Sequence, residues 1–163
     1  MSEEIVINKS LDKREKYREL LKQIRSLVED EDDLIANLAN ICAALKYSMG
    51  GFFWVGFYLR KEMDLVLGPY QGPVACTRIR IPNGVCGTAV NERRTVIVDD
   101  VDVFPGHIAC NADSKSEIVV PIFRDDIVIG VLDVDSDMYS NFDMTDLEYL
   151  EDLCGIVSQL TSK

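Results

Sequence analysis

The stretch Glu117-Ile118-Val119-Val120-Pro121-Ile122-Phe123, followed by Arg124-Asp125-Asp126 and then Ile127-Val128-Ile129-Gly130-Val131-Leu132-Asp133-Val134-Asp135, reads as two strands joined by a tight turn. The turn falls on Asp125-Asp126 and lacks the glycine that usually favours such a connection. Side chains alternate along a strand, so Ile127, Ile129, Val131, Asp133 and Asp135 are expected on one face and Val128, Gly130, Leu132 and Val134 on the other. Both faces are apolar for most of the length, which places the strand at the centre of a sheet covered on both sides. Asp133 and Asp135 then stand about 7 Å apart on one face near its end. Close, desolvated carboxylates raise each other's pKa, so one of the pair can stay protonated and donate a hydrogen bond. If the strand emerges into solvent there, both are simply hydrated. Glu117 opens the partner strand and is expected near Asp133 or Asp135, within a residue or two of register.

Upstream, residues 95–98 and 77–81 read as short strands, and residues 85–92, after the Asn83-Gly84 turn, as one short helix. Phe52-Phe53-Trp54-Val55-Gly56-Phe57-Tyr58-Leu59 and Leu65-Val66-Leu67-Gly68 form a hairpin around a polar turn at 60–62. Tyr17, Leu20, Leu21, Ile24, Leu27 and Val28 recur at helical spacing, with Ser10 as the expected N-cap. The acidic run 29–33 breaks that helix and can cap a second, marked by Leu34, Ile35, Leu38, Ile41, Cys42 and Leu45 and ended by Met49-Gly50-Gly51. Downstream, Asp143 caps a last helix striped by Leu147, Leu150, Leu153, Val157 and Leu160. Residues 99–115 carry no period, and so long a connection inside a compact domain points to function. The order predicts one α+β domain over residues 1–163, a central antiparallel sheet with its N- and C-terminal helices on one face.

The chain has 163 residues, 47% apolar and 28% charged, the composition of a folded globular protein. Its 28 acidic against 17 basic residues give a net charge of −11, which argues against nucleic acid and anionic membrane as partners. No apolar run approaches the roughly 20 residues that span a bilayer. Residues 1–18 lack the basic start and apolar stretch of a secretory signal, so a cytoplasmic location with reduced thiols is expected.

Five cysteines cannot all pair internally. Cys42 and Cys154 fall on or beside helical apolar stripes and read as core residues. Cys76, Cys86 and Cys110 lie in irregular or element-starting positions. Cys86 begins the short helix, where a helix N-terminus would lower its pKa. Three thiols outside the stripes raise the expectation of redox chemistry. The three acids suit either a cation or an acid-assisted reaction. A zinc site would use His107 with Cys110, but no CxxC pair and no second histidine support it, and no metal is expected. Trp54 and Tyr58 share a strand face and either pack the core or wall a small-molecule pocket.

The runs Asn83-Gly84-Val85-Cys86-Gly87-Thr88-Ala89, His107-Ile108-Ala109-Cys110, Ser114-Lys115-Ser116-Glu117-Ile118-Val119-Val120-Pro121 and Gly130-Val131-Leu132-Asp133-Val134-Asp135-Ser136 closely resemble free methionine-(R)-sulfoxide reductases, which are GAF domains. Trp54-Val55-Gly56-Phe57-Tyr58 matches as well. The resemblance extends from the second helix to the last. It implies a GAF-like fold with its ligand pocket on the sheet face opposite the terminal helices. It implies reduction of free L-methionine (R)-sulfoxide to methionine, in oxidative-stress repair and methionine salvage. By that resemblance Cys110 is the nucleophile that becomes a sulfenic acid, and Cys76 the resolving thiol that closes a disulfide on it. Cys86 is the third family cysteine, which is resolving, catalytic or auxiliary in different members, so the first attacker is Cys110 or Cys86. Glu117, Asp133 and Asp135 match the acids that hold the sulfoxide and amino groups, and Trp54 and Tyr58 the wall around the substrate methyl group. No bound cofactor is implied. The reductant is thioredoxin, or dithiothreitol in vitro, and a homodimer through terminal helices is possible. The competing class is a non-catalytic GAF sensor of a small molecule or redox state.

Overall fold

The computed structural model describes residues 4–108 and 110–162, so Ala109 of the resemblance and the ends of the expected 1–163 domain lie outside the described residues. In chain order the elements are α1 (Lys13–Glu29), α2 (Leu34–Ser48), β1 (Trp54–Lys61), β2 (Asp64–Gln71), β3 (Arg78–Arg80), α3 (Gly84–Glu92), β4 (Val96–Val98), β5 (Ser116–Arg124), β6 (Ile127–Ser136) and α4 (Met144–Leu160). One 3-10 turn, Val101–Val103, interrupts the long connection before β5. The strands form one six-stranded sheet in the order β3-β2-β1-β6-β5-β4, every neighbouring pair antiparallel. β6 lies between β1 and β5, the central place its two apolar faces require. Among the described residues no helix is long and apolar enough to cross a membrane.

The β5–β6 turn puts both Asp125 and Asp126 in the left-handed region, at φ 47° and 62°. That is the pairing a two-residue hairpin needs, and aspartate tolerates it better than most side chains. Register then shifts. Phe123 faces Val128, but Ile122 faces Gly130, leaving Ile129 as an extra residue on β6. This corrects the simple alternation: Val128 joins Val131 in the core beneath α3, while Ile129 packs toward the terminal helices.

The sheet separates two cores. Leu132, Val134, Ile118 and Val120 face α1, α2 and α4, and Val131, Val119 and Tyr58 face α3. The terminal helices thus occupy one face, as expected. Ser10 does not cap α1. Asp12 does, accepting from the Glu15 N–H at 2.8 Å while Glu15 accepts from the Asp12 N–H at 3.0 Å. Asp33, from the acidic run, caps α2 as read, and Asp143 caps α4. Ile35 is exposed, so the α2 stripe is narrower than its apolar residues suggested.

Asp146 ties α4 to α1. It is buried, accepts from the Tyr17 hydroxyl at 2.7 Å and pairs with the Lys13 ammonium at 2.6 Å. Tyr17 also stacks on Tyr149 at 5.1 Å. Removing the carboxylate leaves a buried hydroxyl unpaired. Asp146→Ala is expected to lower unfolding stability by about 2–3 kcal/mol in urea melts, and Tyr17→Phe by about 1 kcal/mol.

Candidate active site

β1, β6 and β5 present one continuous row of chemistry-bearing side chains to α3. Trp54 lies opposite Asp135, Gly56 opposite Asp133 and Tyr58 opposite Val131. On the other side Glu117 lies opposite Asp135, and Val119 opposite Asp133. Directly opposed residues share a face, so Trp54, Tyr58, Glu117, Asp133 and Asp135 all converge on it. The Ile129 shift is what places Glu117 there. With unbroken pairing from the turn, Glu117 would oppose Val134 and project into the helix-side core.

α3 supplies the fourth wall. Its third residue, Cys86, is 3% exposed, and Glu117 and Asp133 are each 6% exposed. The Cys86 sulfur and one oxygen from each acid lie within 4.8 Å of one another. Burial, then the neighbouring carboxylates, push the Glu117 and Asp133 carboxyls well above their ordinary range. Glu117 and Cys86 act as donors to Asp133. Asp133 Oδ1 is buried and has no hydrogen-bond partner among the described residues. Burial raises Asp135 to about 6, against a hydrogen bond with Ser114 that lowers it. Cys86 reverses its sequence reading. Burial and the facing acids raise its pKa well above the ordinary thiol range, outweighing the helix N-terminus. Cys86, Glu117 and Asp133 are close enough for one cation to touch all three, but their donor set contains no imidazole. Shared protons relieve the same charge repulsion.

Trp54 and Tyr58 form the aromatic wall. Tyr70 extends it, stacking on Trp54 at 5.3 Å, while Trp54 and Tyr58 stack at 6.0 Å. Gly56 makes this possible, since a Cβ there would lie 2.2 Å from Trp54 Cη2. Over the acids lies the connection 99–115, bringing His107, Ile108, Cys110, Asn111 and Ser114 to the pocket. Cys110 is joined to Cys76 in a disulfide with Cα atoms 5.4 Å apart. Cys42 and Cys154 are buried free thiols in the helix-side core, as read. The pocket so enclosed is narrow, about 40 Å³. All eight residues singled out by sequence line it or, for Cys76, close it through the bond to Cys110. His107 lies at the rim rather than in a metal set with Cys110, whose sulfur is committed to Cys76.

Residues 28–161 match the GAF domain family. A free methionine-R-sulfoxide reductase of Escherichia coli (strain K12) is 43% identical over 143 residues, covering 88% of this chain and 87% of that one. The X-ray structure of free methionine-R-sulfoxide reductase from Neisseria meningitidis, in complex with its substrate, matches with a TM-score of 0.93 and 50% identity over 98% of this chain and 96% of that one. This chain belongs to the free methionine-R-sulfoxide reductase family of GAF domains. A GAF domain-containing protein A of Dictyostelium discoideum is 54% identical over 158 residues, 96% of this chain and 99% of that one.

Within this member of the family, sequence reasoning left unassigned one pocket residue, Ser114, and one residue packed behind the pocket wall, Tyr70. Ser114 sits in a run quoted for the resemblance, but its hydroxyl on Asp135 needs the folded connection 99–115 to be visible. Tyr70 joins the wall because it pairs with Gly56 across β1 and β2, a register the sequence leaves open.

Asp135 is the acid whose titration is easiest to follow. Its folded pKa is raised above the unfolded value, so the folded state binds more protons between the two. The associated stability is complete below the unfolded pKa and is lost as pH rises through about 6. Asp135→Asn is therefore expected to be more stable than the wild type by about 2–3 kcal/mol at neutral pH and above. That advantage should shrink toward zero under acid conditions, as followed by thermal unfolding of the oxidised protein across the pH range.

Proposed function

We propose that the chain reduces free L-methionine (R)-sulfoxide to L-methionine. The observation that carries this reading is a disulfide-forming pair, Cys76 and Cys110, seated over three clustered acids in a pocket walled by Trp54 and Tyr58. The reaction needs a nucleophilic sulfur, a proton donor for the sulfoxide oxygen, and a slot for the methyl group. Cys110 supplies the nucleophile. Its sulfur attacks the sulfoxide sulfur, the oxygen passes to Cys110 as a sulfenic acid, and methionine leaves.

The acids supply the rest. Asp133 and Glu117 retain protons because burial and mutual repulsion disfavour their charged forms. A neutral carboxyl there can hydrogen-bond and protonate the sulfoxide oxygen. Asp135, with the lowest pKa of the three, takes the substrate ammonium group. The unpartnered Asp133 oxygen marks where a donor from the ligand belongs. Trp54 and Tyr58 enclose the methyl group. Cys76 then condenses with the sulfenic acid, forming the disulfide and releasing water. A dithiol, thioredoxin in the cell or dithiothreitol in vitro, reopens it. In this reading the Cys76–Cys110 disulfide form is the state after turnover. Cys86, held as a thiol beside Asp133, serves the acid cluster rather than the first attack. The cellular outcome is return of oxidised free methionine to the methionine pool.

Turnover with dithiothreitol of the separate R and S epimers of free methionine sulfoxide, and of a peptide-bound sulfoxide, tests the reading. Only the free R epimer should be consumed. Cys110→Ser should abolish turnover, and Asp133→Asn should lower kcat/KM by about 100-fold or more. If Cys86→Ser is the dead variant and Cys110→Ser is active, the two thiols exchange roles. Ligand binding without consumption by reduced, folded protein would leave a GAF sensor.

A further inference from the structure

Residues 72–77 join β2 to β3 and carry Cys76. Three contacts seat them on the aromatic wall. The Trp54 indole N–H donates to the Pro73 carbonyl at 3.0 Å. The Tyr58 hydroxyl donates to the carbonyl of Cys76 itself at 2.9 Å. Gly72, at φ 143°, passes so close that a Cβ would lie 2.5 Å from Trp54 Cδ1. Val74 is 82% exposed. Among the described residues, these two aromatic tips make the hydrogen bonds that hold 72–76, and the next is the Leu67 N–H to the Thr77 carbonyl at 3.1 Å.

Walling a methyl group requires only ring faces, for which phenylalanine would serve at position 58. The hydroxyl does something further. It is bonded to the backbone of a redox thiol's own residue, across 18 positions of chain. We propose that Tyr58, assisted by the Trp54 N–H, is a positioning residue for Cys76, holding that thiol within reach of Cys110 for the second step. This rests on the reading of Cys110 as nucleophile and Cys76 as its resolving partner. In that step the Cys76 sulfur attacks the Cys110 sulfenic sulfur. The S–S bond forms, the S–OH bond breaks, and hydroxide leaves with the thiol proton as water. Without those two bonds, the segment between β2 and β3 would present Cys76 over many conformers. Fixing it makes closure effectively a reaction of neighbours, ahead of over-oxidation. The wall thus serves both halves of the cycle: ring faces for substrate, polar tips for the resolving thiol.

The test is a single turnover. Reduced protein is mixed with one equivalent of free L-methionine (R)-sulfoxide, without reductant, and quenched into dimedone at successive times. Methionine, dimedone-labelled Cys110 and the Cys76–Cys110 disulfide are quantified by mass spectrometry. In the wild type the disulfide should keep pace with methionine. In Tyr58→Phe it should lag methionine by about tenfold or more, with labelled Cys110 accumulating. Gly72→Ala, which displaces the loop from Trp54, should show the same lag. Disulfide in step with methionine in Tyr58→Phe overturns the proposal, even if methionine itself forms more slowly, because the hydroxyl then acts only at the substrate wall. No methionine from the wild type overturns the functional reading as well.

Discussion

Three carboxyl groups on one buried sheet face cannot all carry charge. Glu117, Asp133 and Asp135 meet where α3 closes one side and the 99–115 connection the other, with little water to stabilise an anion. The result is a cluster that stores protons at neutral pH and holds one buried oxygen, Asp133 Oδ1, with no hydrogen-bond partner among the described residues. Much of the site follows from that constraint. Cys86 sits against the cluster as a thiol donor, and the Ser114 hydroxyl on Asp135 makes it the most readily ionised member.

The fold creates the cluster through register. A two-residue turn alone would set Glu117 opposite Val134. The extra residue at Ile129 moves it opposite Asp135 and onto the pocket face. The helix-side core of α1, α2 and α4 backs β6, while the pocket side is closed by α3 and the 99–115 connection. In the proposed mechanism the acids stand on sheet strands, while Cys76 and Cys110 stand on loops. Acids must keep fixed spacing, whereas thiols must approach one another and part again.

Much of this was legible in the sequence because the β5–β6 hairpin is long and apolar on both faces. That pattern decided the central strand, the α+β class and the common face of Asp133 and Asp135. The helix stripes and the Asp33 and Asp143 caps were equally plain. What escaped depended on geometry without a local signature. The Ile129 shift is invisible to alternation, so Glu117 could be placed only within a residue or two. The Ser10 cap lost to Asp12 because Asp12 and Glu15 satisfy each other's backbone donors. Cys86 looked activated because a helix start is read from sequence, whereas the acids facing it come from strands some 30 and more residues away. The Cys76 and Cys110 pairing came from family resemblance, and their positions in the fold accommodate it.

The central claim is that the acid cluster holds protons at neutral pH and gives them to the ligand. Infrared difference spectroscopy of the reduced protein, recorded on adding free methionine (R)-sulfoxide at neutral pH, measures this directly. The account predicts a protonated-carboxyl C=O band that shifts or disappears on binding and is lost in Glu117→Gln and Asp133→Asn. A spectrum showing only ionised carboxylates at neutral pH, before and after binding, would contradict it.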